Sequence, residues 1–166
     1  MSAVISDCGK YRYVLRREIG AGDLTVMFLM LNPSTADAEL DDPTIRRCKG
    51  FAAAAGAKTL LVGNLYGLRS TDPDQLWASP DPVGPDNDLW LTDLASRSDL
   101  IVAAWGQNAK SSRVDAVASL IKKPMMCLGT TKSGSPKHPL YVKKDTVLQL
   151  LSIKRSPVFR IVGSAP

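Results

Sequence analysis

The sequence has a single histidine and only three cysteines, which limits the metal chemistry open to it. Cys8, Cys48 and Cys127 show no C-x-x-C or similar paired spacing. A structural zinc site needs about four nitrogen or sulfur ligands at short spacings, and these residues do not supply them. We therefore predict no metal site and three free, mostly buried thiols.

Long apolar runs and the glycine-rich signatures of several enzyme classes are also missing. No run approaches the roughly 20 apolar residues that span a bilayer, and the N-terminus has no continuous apolar block. The chain contains no G-x-x-x-x-G-K-[ST] phosphate loop, no G-x-G-x-x-G turn after the first predicted strand, and no G-x-S-x-G elbow. We therefore expect a cytoplasmic protein that does not insert into a membrane, has no bound cofactor and does not hydrolyse nucleotides with a P-loop.

The remaining composition is that of a globular protein with a basic surplus. The 166 residues are 45% hydrophobic and 22% charged, which fits one domain over residues 1–166, and we expect a monomer. The net charge of +5 favours a polyanionic partner, because lysine or arginine near phosphate releases condensed counterions. Many basic proteins of this size bind no nucleic acid, so charge alone shifts the odds only a little.

Short apolar runs that stop at a polar, aromatic or glycine residue recur along the chain. VMFLML is followed by Asn32, TLLVGN ends at Asn64, DLIVAAW ends at Trp105, and PMMCLG ends at Gly129. Such runs are typical of buried strands, and α/β proteins bind ligands beyond the carboxyl ends of their parallel strands. The sequence therefore predicts one rim that collects the residues at these ends.

Helix signals separate the apolar runs. The aspartate-proline pair that starts at Asp42 is typical of a helix N-terminus, and this helix is predicted to end at Gly56. A second helix is predicted over NDLWLTDLASR, with Leu89, Trp90 and Leu94 as its apolar stripe.

Four further segments complete the predicted architecture. Residues 11–20 resemble an edge strand, residues 112–123 a helix, and residues 66–86 a long, proline-rich functional loop, while the type of 145–155 is not settled. Alternating strands and helices imply right-handed crossovers. We therefore predict an α/β fold, a three-layer α/β/α sandwich with a mostly parallel sheet of about four central strands.

The residues at the predicted strand ends are candidates for binding. Asn32, Pro33 and Ser34 would bring an amide and a hydroxyl to the rim, with positions fixed by the proline. The Asn64 carboxamide has both a donor and an acceptor, as the edge of a base requires, and Trp105 offers an aromatic face. Turn capping by the polar residues and core packing by the tryptophan are the structural alternatives.

A basic loop near the C-terminus contains the only histidine, His138. Its imidazole is suited to hydrogen-bonding an oxyanion, and the loop's lysines to contacting phosphates; these are Lys132, Lys137, Lys143 and Lys144. Tyr66 and Tyr141 are candidates for stacking on a base. The spacing in the sequence does not exclude a serine hydrolase with Ser34 as nucleophile, Asp37 as acid and His138 as base, although no nucleophile elbow supports it.

Taken together, the motifs carry a family resemblance. LNPSTADAELDDPTIRR, GNLYGLRSTDP, AWG and KHPLY resemble an uncharacterised bacterial and phage family whose hallmark is LNPSTAD, over about residues 11–142. More distantly, their order resembles the uracil-DNA glycosylase superfamily. That superfamily has G-x-[ND]-P after its first strand, an asparagine after its second, a WG-type strand end and a late HPSP-L loop.

This second resemblance implies a role for each matching residue in cleaving the N-glycosidic bond of a base flipped out of DNA. Asn32 matches the residue that positions the attacking water, and Asn64 the asparagine that recognises the base edge. His138 matches the histidine that stabilises the departing base as an anion, and Leu140 the wedge that fills the gap in the stack. Tyr66 is a candidate for stacking on the base.

The chain departs from the superfamily pattern at two motifs. The first motif lacks the leading glycine and has asparagine where an aspartate would act as a base, and the last motif, His138 to Tyr141, is two residues shorter. The nearby acids Asp37, Asp41 and Asp42 are alternative bases, with helix capping the favoured role for Asp42. Arg69 is a candidate phosphate or base contact.

We therefore predict an enzyme, a DNA glycosylase-like hydrolase that acts on an altered or modified base in DNA repair or phage defence. The catalytic candidates are Asn32, His138 and Asp37. The base-binding candidates are Asn64, Tyr66, Pro33, Ser34 and Trp105, and the DNA-binding candidates are Leu140, Arg69, Lys132, Lys137 and Lys143. The alternatives are a non-catalytic nucleic-acid or nucleotide-binding module and a hydrolase or transferase that acts on free nucleosides.

Overall fold

The computed structural model describes residues 2–34, 36 and 39–153. Its strands are β1 (Ser2–Ile5), β2 (Arg12–Glu18), β3 (Leu24–Met30), β4 (Ala57–Asn64), β5 (Leu100–Ala103), β6 (Met126–Cys127) and β7 (Gln149–Leu150). Its helices are α1 (Pro43–Ala54), α2 (Pro73–Ala78), α3 (Asn87–Ser96) and α4 (Ser111–Ile121), and a 3₁₀ helix covers Pro139–Tyr141. The fold is α/β, as predicted. No helix within the described ranges is long and apolar enough to cross a membrane.

The strands form one seven-stranded sheet in the order β1-β2-β4-β3-β5-β6-β7. The pairs β3–β4, β3–β5 and β5–β6 are parallel, whereas β1–β2, β2–β4 and β6–β7 are antiparallel. The sheet is thus larger than predicted and partly antiparallel, and the prediction of a mostly parallel sheet of about four strands is not confirmed. The parallel pairs are contiguous, so β4, β3, β5 and β6 direct their carboxyl ends to the same edge.

The start and end of α1 follow from local chemistry, as the sequence predicts. The Asp42 side chain accepts a hydrogen bond from the Ile45 backbone N–H at 2.8 Å, and Pro43 occupies the first helical position, where its missing N–H costs nothing. Gly56, just beyond the helix, has φ +84°, a conformation that glycine adopts without steric penalty. This helix carries the chain from the end of β3 back to the start of β4.

The sheet is packed on both faces because alternate residues of β3 point to opposite sides. Val26, Phe28 and Met30 belong to one apolar cluster, which includes Phe51 of α1. Met27 and Leu29 belong to the other cluster, which α3 and α4 cover.

The predicted apolar stripe of α3 is partly wrong. Leu89 is 73% exposed, whereas Leu91, Leu94 and Ala95 are buried. These three residues follow the spacing i, i+3, i+4, which places them on one face of a helix. Leu89 lies two residues before Leu91 and therefore points away from that face.

Candidate functional site

A cleft of about 560 Å³ lies at the carboxyl-terminal ends of the parallel strands. Asn64 is the last residue of β4, Asn32 follows β3 by two residues, and Trp105 follows β5 by two residues. These three side chains line the cleft together with His138, which immediately precedes the 3₁₀ helix. The structure therefore brings both asparagines and the only histidine to one cavity.

The orientation of the Asn32 carboxamide is set by two backbone carbonyl groups. Its Nδ2 donates to the carbonyl oxygen of Ser70 at 2.8 Å and to that of Pro33 at 3.1 Å. Within the described residues, Oδ1 accepts no hydrogen bond. Because both amide hydrogens are used, the group available to a ligand is an acceptor.

The Asn64 side chain, unlike that of Asn32, makes no hydrogen bond to the described residues. The residue is only 2% exposed, yet it lines the cleft. Its backbone is held from the other side of the sheet, where Asn87 of α3 donates to the carbonyl oxygens of Asn64 at 3.0 Å and Leu65 at 3.2 Å. Arg113 of α4 also donates to the Leu65 carbonyl, at 2.7 Å. Because its amide lines the cleft, the carboxamide is free to pair with a ligand that enters it.

The imidazole of His138 is held in a defined tautomer by its own backbone. Nδ1 accepts a hydrogen bond from the Leu140 N–H at 3.3 Å, so a neutral ring carries its proton on Nε2. Burial lowers the pKa of His138 below its ordinary value of 6.5, and the negative charge of Asp42 opposes this only in part. At neutral pH the ring is therefore an uncharged donor.

The backbone on either side of His138 is fixed by neighbouring elements. The Gly106 N–H, just past Trp105, donates to the Pro136 carbonyl at 3.0 Å. On the other side, Arg47 of α1 donates through Nε to the Pro139 carbonyl at 3.2 Å and through Nη2 to the Val142 carbonyl. The histidine is thus positioned by both the β5 end and α1.

As a first prediction, the imidazole of tag-free protein is expected to titrate below pH 6.5. Asp42→Asn is expected to lower its pKa further, because the charge is removed while an oxygen remains to cap α1. NMR of the single imidazole reads the pKa and the Nε2–H tautomer directly. Asp23→Asn, at a turn before β3 and remote from the cleft, should leave the pKa unchanged; a wild-type pKa at or above 6.5 would contradict the assignment.

The lowered pKa of His138 also makes the free energy of unfolding depend on pH. Because the pKa of folded His138 is depressed, the unfolded chain binds the proton more tightly than the folded chain. The contribution of this residue to the free energy of unfolding is therefore complete above about pH 6.5, the pKa of an unperturbed histidine. It is expected to decline as the pH falls from there through the folded-state pKa.

The geometry of His138 does not match a serine hydrolase. Ser34 lines the same cleft, but no hydrogen bond connects it to His138 in the described part of the chain. In such a triad the acid accepts a hydrogen bond from the N–H of the ring nitrogen that faces it. Here Nδ1 is itself an acceptor for a backbone N–H, so it has no proton to offer an acid. The predicted acid, Asp37, lies outside the described residues.

Several residues predicted for the site are not among those that line the cleft. Tyr66 is 3% exposed and packs edge-on against Trp77 of α2, with ring centroids 5.2 Å apart. Pro33 is buried, and Arg69 donates to the Gly9 carbonyl. Leu140, Lys132 and Lys143 are exposed side chains outside the cleft, although Lys137 lines it.

The cleft also contains residues that the strand-end pattern did not reveal. Arg12, at the start of antiparallel β2, is buried, lines the cleft and donates to the Ala36 carbonyl. Ser70 and Thr71 come from the segment before α2. Gln107 and Asn108 also line the cleft. They directly follow Trp105-Gly106, so the strand-end pattern could have predicted them. Most of this lining is uncharged and able to hydrogen-bond.

The residues described in the structure include no group of three or more histidine, cysteine, aspartate or glutamate side chains placed to hold a metal ion. A family model described as "Protein of unknown function (DUF1643)" matches residues 12–140. The cleft residues from Arg12 to His138 all fall within this range. No curated protein and no solved structure matches the chain.

Proposed function

The chain belongs to the DUF1643 family, and we propose, from its cleft, that it is a DNA glycosylase-like hydrolase. In this proposal an altered or modified base enters the cleft and its N-glycosidic bond is hydrolysed. The observation that carries the proposal is the convergence of Asn32, Asn64 and His138 on one cavity. Each of these side chains has a hydrogen-bonding group that is not used by the described residues and is therefore free for a ligand.

The free groups match the parts of a nucleoside. The Asn64 carboxamide, which lines the cleft, has a donor and an acceptor that are suited to pair with the edge of a base. The Nε2–H of neutral His138 is suited to a base oxygen on which negative charge develops. The free Oδ1 of Asn32 is suited to accept a hydrogen bond from water.

In the proposed reaction, water adds to the sugar C1′ as the C1′–N bond breaks. The bonding electron pair leaves with the base, and the surplus proton of the water passes to solvent or to the departing base. Asn32 orients the water without taking its proton, because a carboxamide is not a base near neutral pH. His138 stabilises the base anion more strongly than the uncharged substrate, which is the condition for accelerating the reaction.

The fold and the charge of the protein support the same proposal. We propose that the contiguous parallel strands β4, β3, β5 and β6 correspond to the central sheet of the uracil-DNA glycosylase superfamily. Lys137 lines the cleft, and Lys132 and Lys143 lie exposed on the same basic loop, where they are suited to contact phosphates. DNA is therefore the proposed partner.

The proposal predicts that purified protein releases a free base from at least one oligonucleotide in a panel of deaminated and C5-modified bases. Base release is measured by chromatography and by strand scission at alkali-labile abasic sites, with single-stranded and duplex forms of each oligonucleotide. His138→Ala is expected to lower the rate by about 10²-fold or more, the usual cost of losing a donor to a developing anion.

The panel also separates the alternatives. Oligonucleotide binding without base release on any substrate would favour a non-catalytic module. Release from free nucleosides, with none from oligonucleotides, would favour a nucleoside hydrolase. Either result would refute the proposed activity on DNA.

A further inference from the structure

The ring of Tyr141 stands at the mouth of the cleft with little protein around it. The residue lines the cleft and is 83% exposed. Its ring lies beside that of His138, at a centroid distance of 5.6 Å and an interplanar angle of 49°. Water therefore covers most of an aromatic surface that proteins ordinarily bury.

This exposure is not the result of a loosely held backbone. The Tyr141 N–H donates to the His138 carbonyl at 3.0 Å, which closes the 3₁₀ turn. Arg47 donates to the Pro139 carbonyl two residues before the tyrosine and to the Val142 carbonyl one residue after it. The same guanidinium lies over the Phe51 ring, 4.9 Å from its centroid, and is thereby anchored to α1. The turn that carries the Tyr141 ring is therefore held in place on both sides.

The segment that carries Tyr141 is basic, although Asp42 lines the same cleft and Asp145 follows the last of its lysines. Residues 130–144 contain four lysines, at 132, 137, 143 and 144, and no acidic residue. Lys143 and Lys144 follow the tyrosine by two and three residues, and both are exposed. An exposed aromatic ring on a basic segment is the combination that binds single-stranded nucleic acid, since the ring stacks on a base while the cations contact phosphates.

We propose that Tyr141 is a stacking platform for the base next to the one held in the cleft, and that it makes the protein prefer single-stranded DNA to duplex. In a duplex the faces of a base are covered by its neighbours, whereas in a single strand a face is free to stack on the ring. Leu140, the residue suited to wedge into a duplex, is 42% exposed and does not line the cleft. This inference rests on the proposed function for the base in the cleft, but not on catalysis.

The test measures binding of an unmodified single-stranded oligonucleotide by fluorescence anisotropy, beside the duplex of the same sequence. Tyr141→Ala is expected to weaken single-strand binding roughly tenfold, within the range for loss of one stacked base, and to change duplex binding less than twofold. Tyr141→Phe should retain the affinity because the ring face remains. Tyr141→Leu should behave like the alanine variant, because apolar area without a flat ring does not stack.

A spectroscopic measurement identifies the stacked position itself. 2-Aminopurine placed at successive positions of the single strand should be quenched at one position by the wild-type protein and Tyr141→Phe, but not by Tyr141→Leu. Lys143→Ala/Lys144→Ala should make the slope of log K against log salt concentration less negative, by about 0.7 for each phosphate that is no longer neutralised. Lys58→Ala, an exposed lysine at the start of β4 and far from the cleft, should leave that slope unchanged.

The possible outcomes separate this inference from the proposed function. Equal losses of affinity on single strand and duplex, or an affinity for Tyr141→Leu equal to that of Tyr141→Phe, would overturn the platform. The same conclusion follows if the wild-type protein binds no oligonucleotide. Tyr141-dependent single-strand binding without base release from any substrate would support the platform and refute the glycosylase activity alone.

Discussion

Replacing Asn32 by alanine is expected to lower the rate of base release by about 10²- to 10³-fold, the usual cost of removing one positioned hydrogen-bonding group at a reacting centre. Oligonucleotide affinity should change little, since the proposed partner of Oδ1 is the attacking water and not the base. Single-turnover kinetics separate the two effects, because they give the rate of bond cleavage at saturating protein. A variant that loses affinity but retains the single-turnover rate would place Asn32 in binding instead.

Asn32→Asp is the informative companion variant. An aspartate is the stronger base, and on acid–base chemistry alone it should accelerate the reaction. In this structure, however, the side-chain nitrogen donates to the carbonyl oxygens of Pro33 and Ser70, and a carboxylate in its place would point an anion at two acceptors. We therefore expect Asn32→Asp to be no faster than wild type and to unfold at a lower temperature. A rate above wild type would show that the two carbonyls do not hold the side chain during turnover.

Removing the carboxylate of Asp41 is expected to lower the free energy of unfolding by about 1.5–3 kcal/mol, the range for losing a hydrogen bond between charged groups. Arg17 of β2 has a side chain with 0% exposure, and its Nε donates to Asp41 at 2.7 Å. Lys49 of α1 donates to the same carboxylate at 2.9 Å. Asp41 therefore ties β2 to α1, across the segment that leads from Asn32 into the helix.

Chemical denaturation of Asp41→Ala measures this effect. The matched control is Arg16→Ala, which removes a pair with Glu18 in which both side chains are about half exposed, and it is expected to cost no more than about 0.5 kcal/mol. Equal decreases in the free energy of unfolding for the two variants would mean that the Arg17 ion pair contributes no more than a surface pair.

The same pair predicts a pH dependence. Burial raises the pKa of Asp41, but the hydrogen bonds from Lys49 and Arg17 outweigh it and hold the pKa below the ordinary value of 3.8. Since the folded-state pKa is the lower one, the pair stabilises the fold above about pH 4. This contribution is lost as the pH falls through the folded-state pKa, and Asp41→Ala should show a weaker dependence in that acidic range.

The features that the sequence predicted well are those encoded by adjacent residues. Asp42-Pro43 contains both the cap and the first position of α1, and Gly56 provides the φ of +84° that follows the helix. The strand-end asparagines were found for a related reason. An apolar run that stops at an amide marks a buried strand entering a rim, wherever the strand lies in the sheet.

The features that the sequence missed depend on interactions between distant segments. Tyr66 was predicted to stack on a base, but Trp77 of α2 covers it, and this helix lies inside a stretch that was predicted to be a loop. Arg12 reaches the cleft because β2 pairs antiparallel with β4, a pairing that no local pattern in β2 specifies. For the same reason the sheet proved larger than four strands: β1 and β7 are short, and their pairing partners decide that they are strands.

Asn87 and Arg113 connect the end of β4 to the helices that pack behind the sheet. Asn87 of α3 donates to the carbonyl oxygens of Asn64 and Leu65, and Arg113 of α4 donates to that of Leu65. Arg113 is in turn paired with Asp88 at 2.6 Å, so we expect a substitution at Asp88 to alter how the backbone beside Asn64 is held. If Asn64 recognises the base, as proposed, a homologue can acquire a different preferred base through substitutions in α3 and α4 while every side chain facing the ligand stays the same.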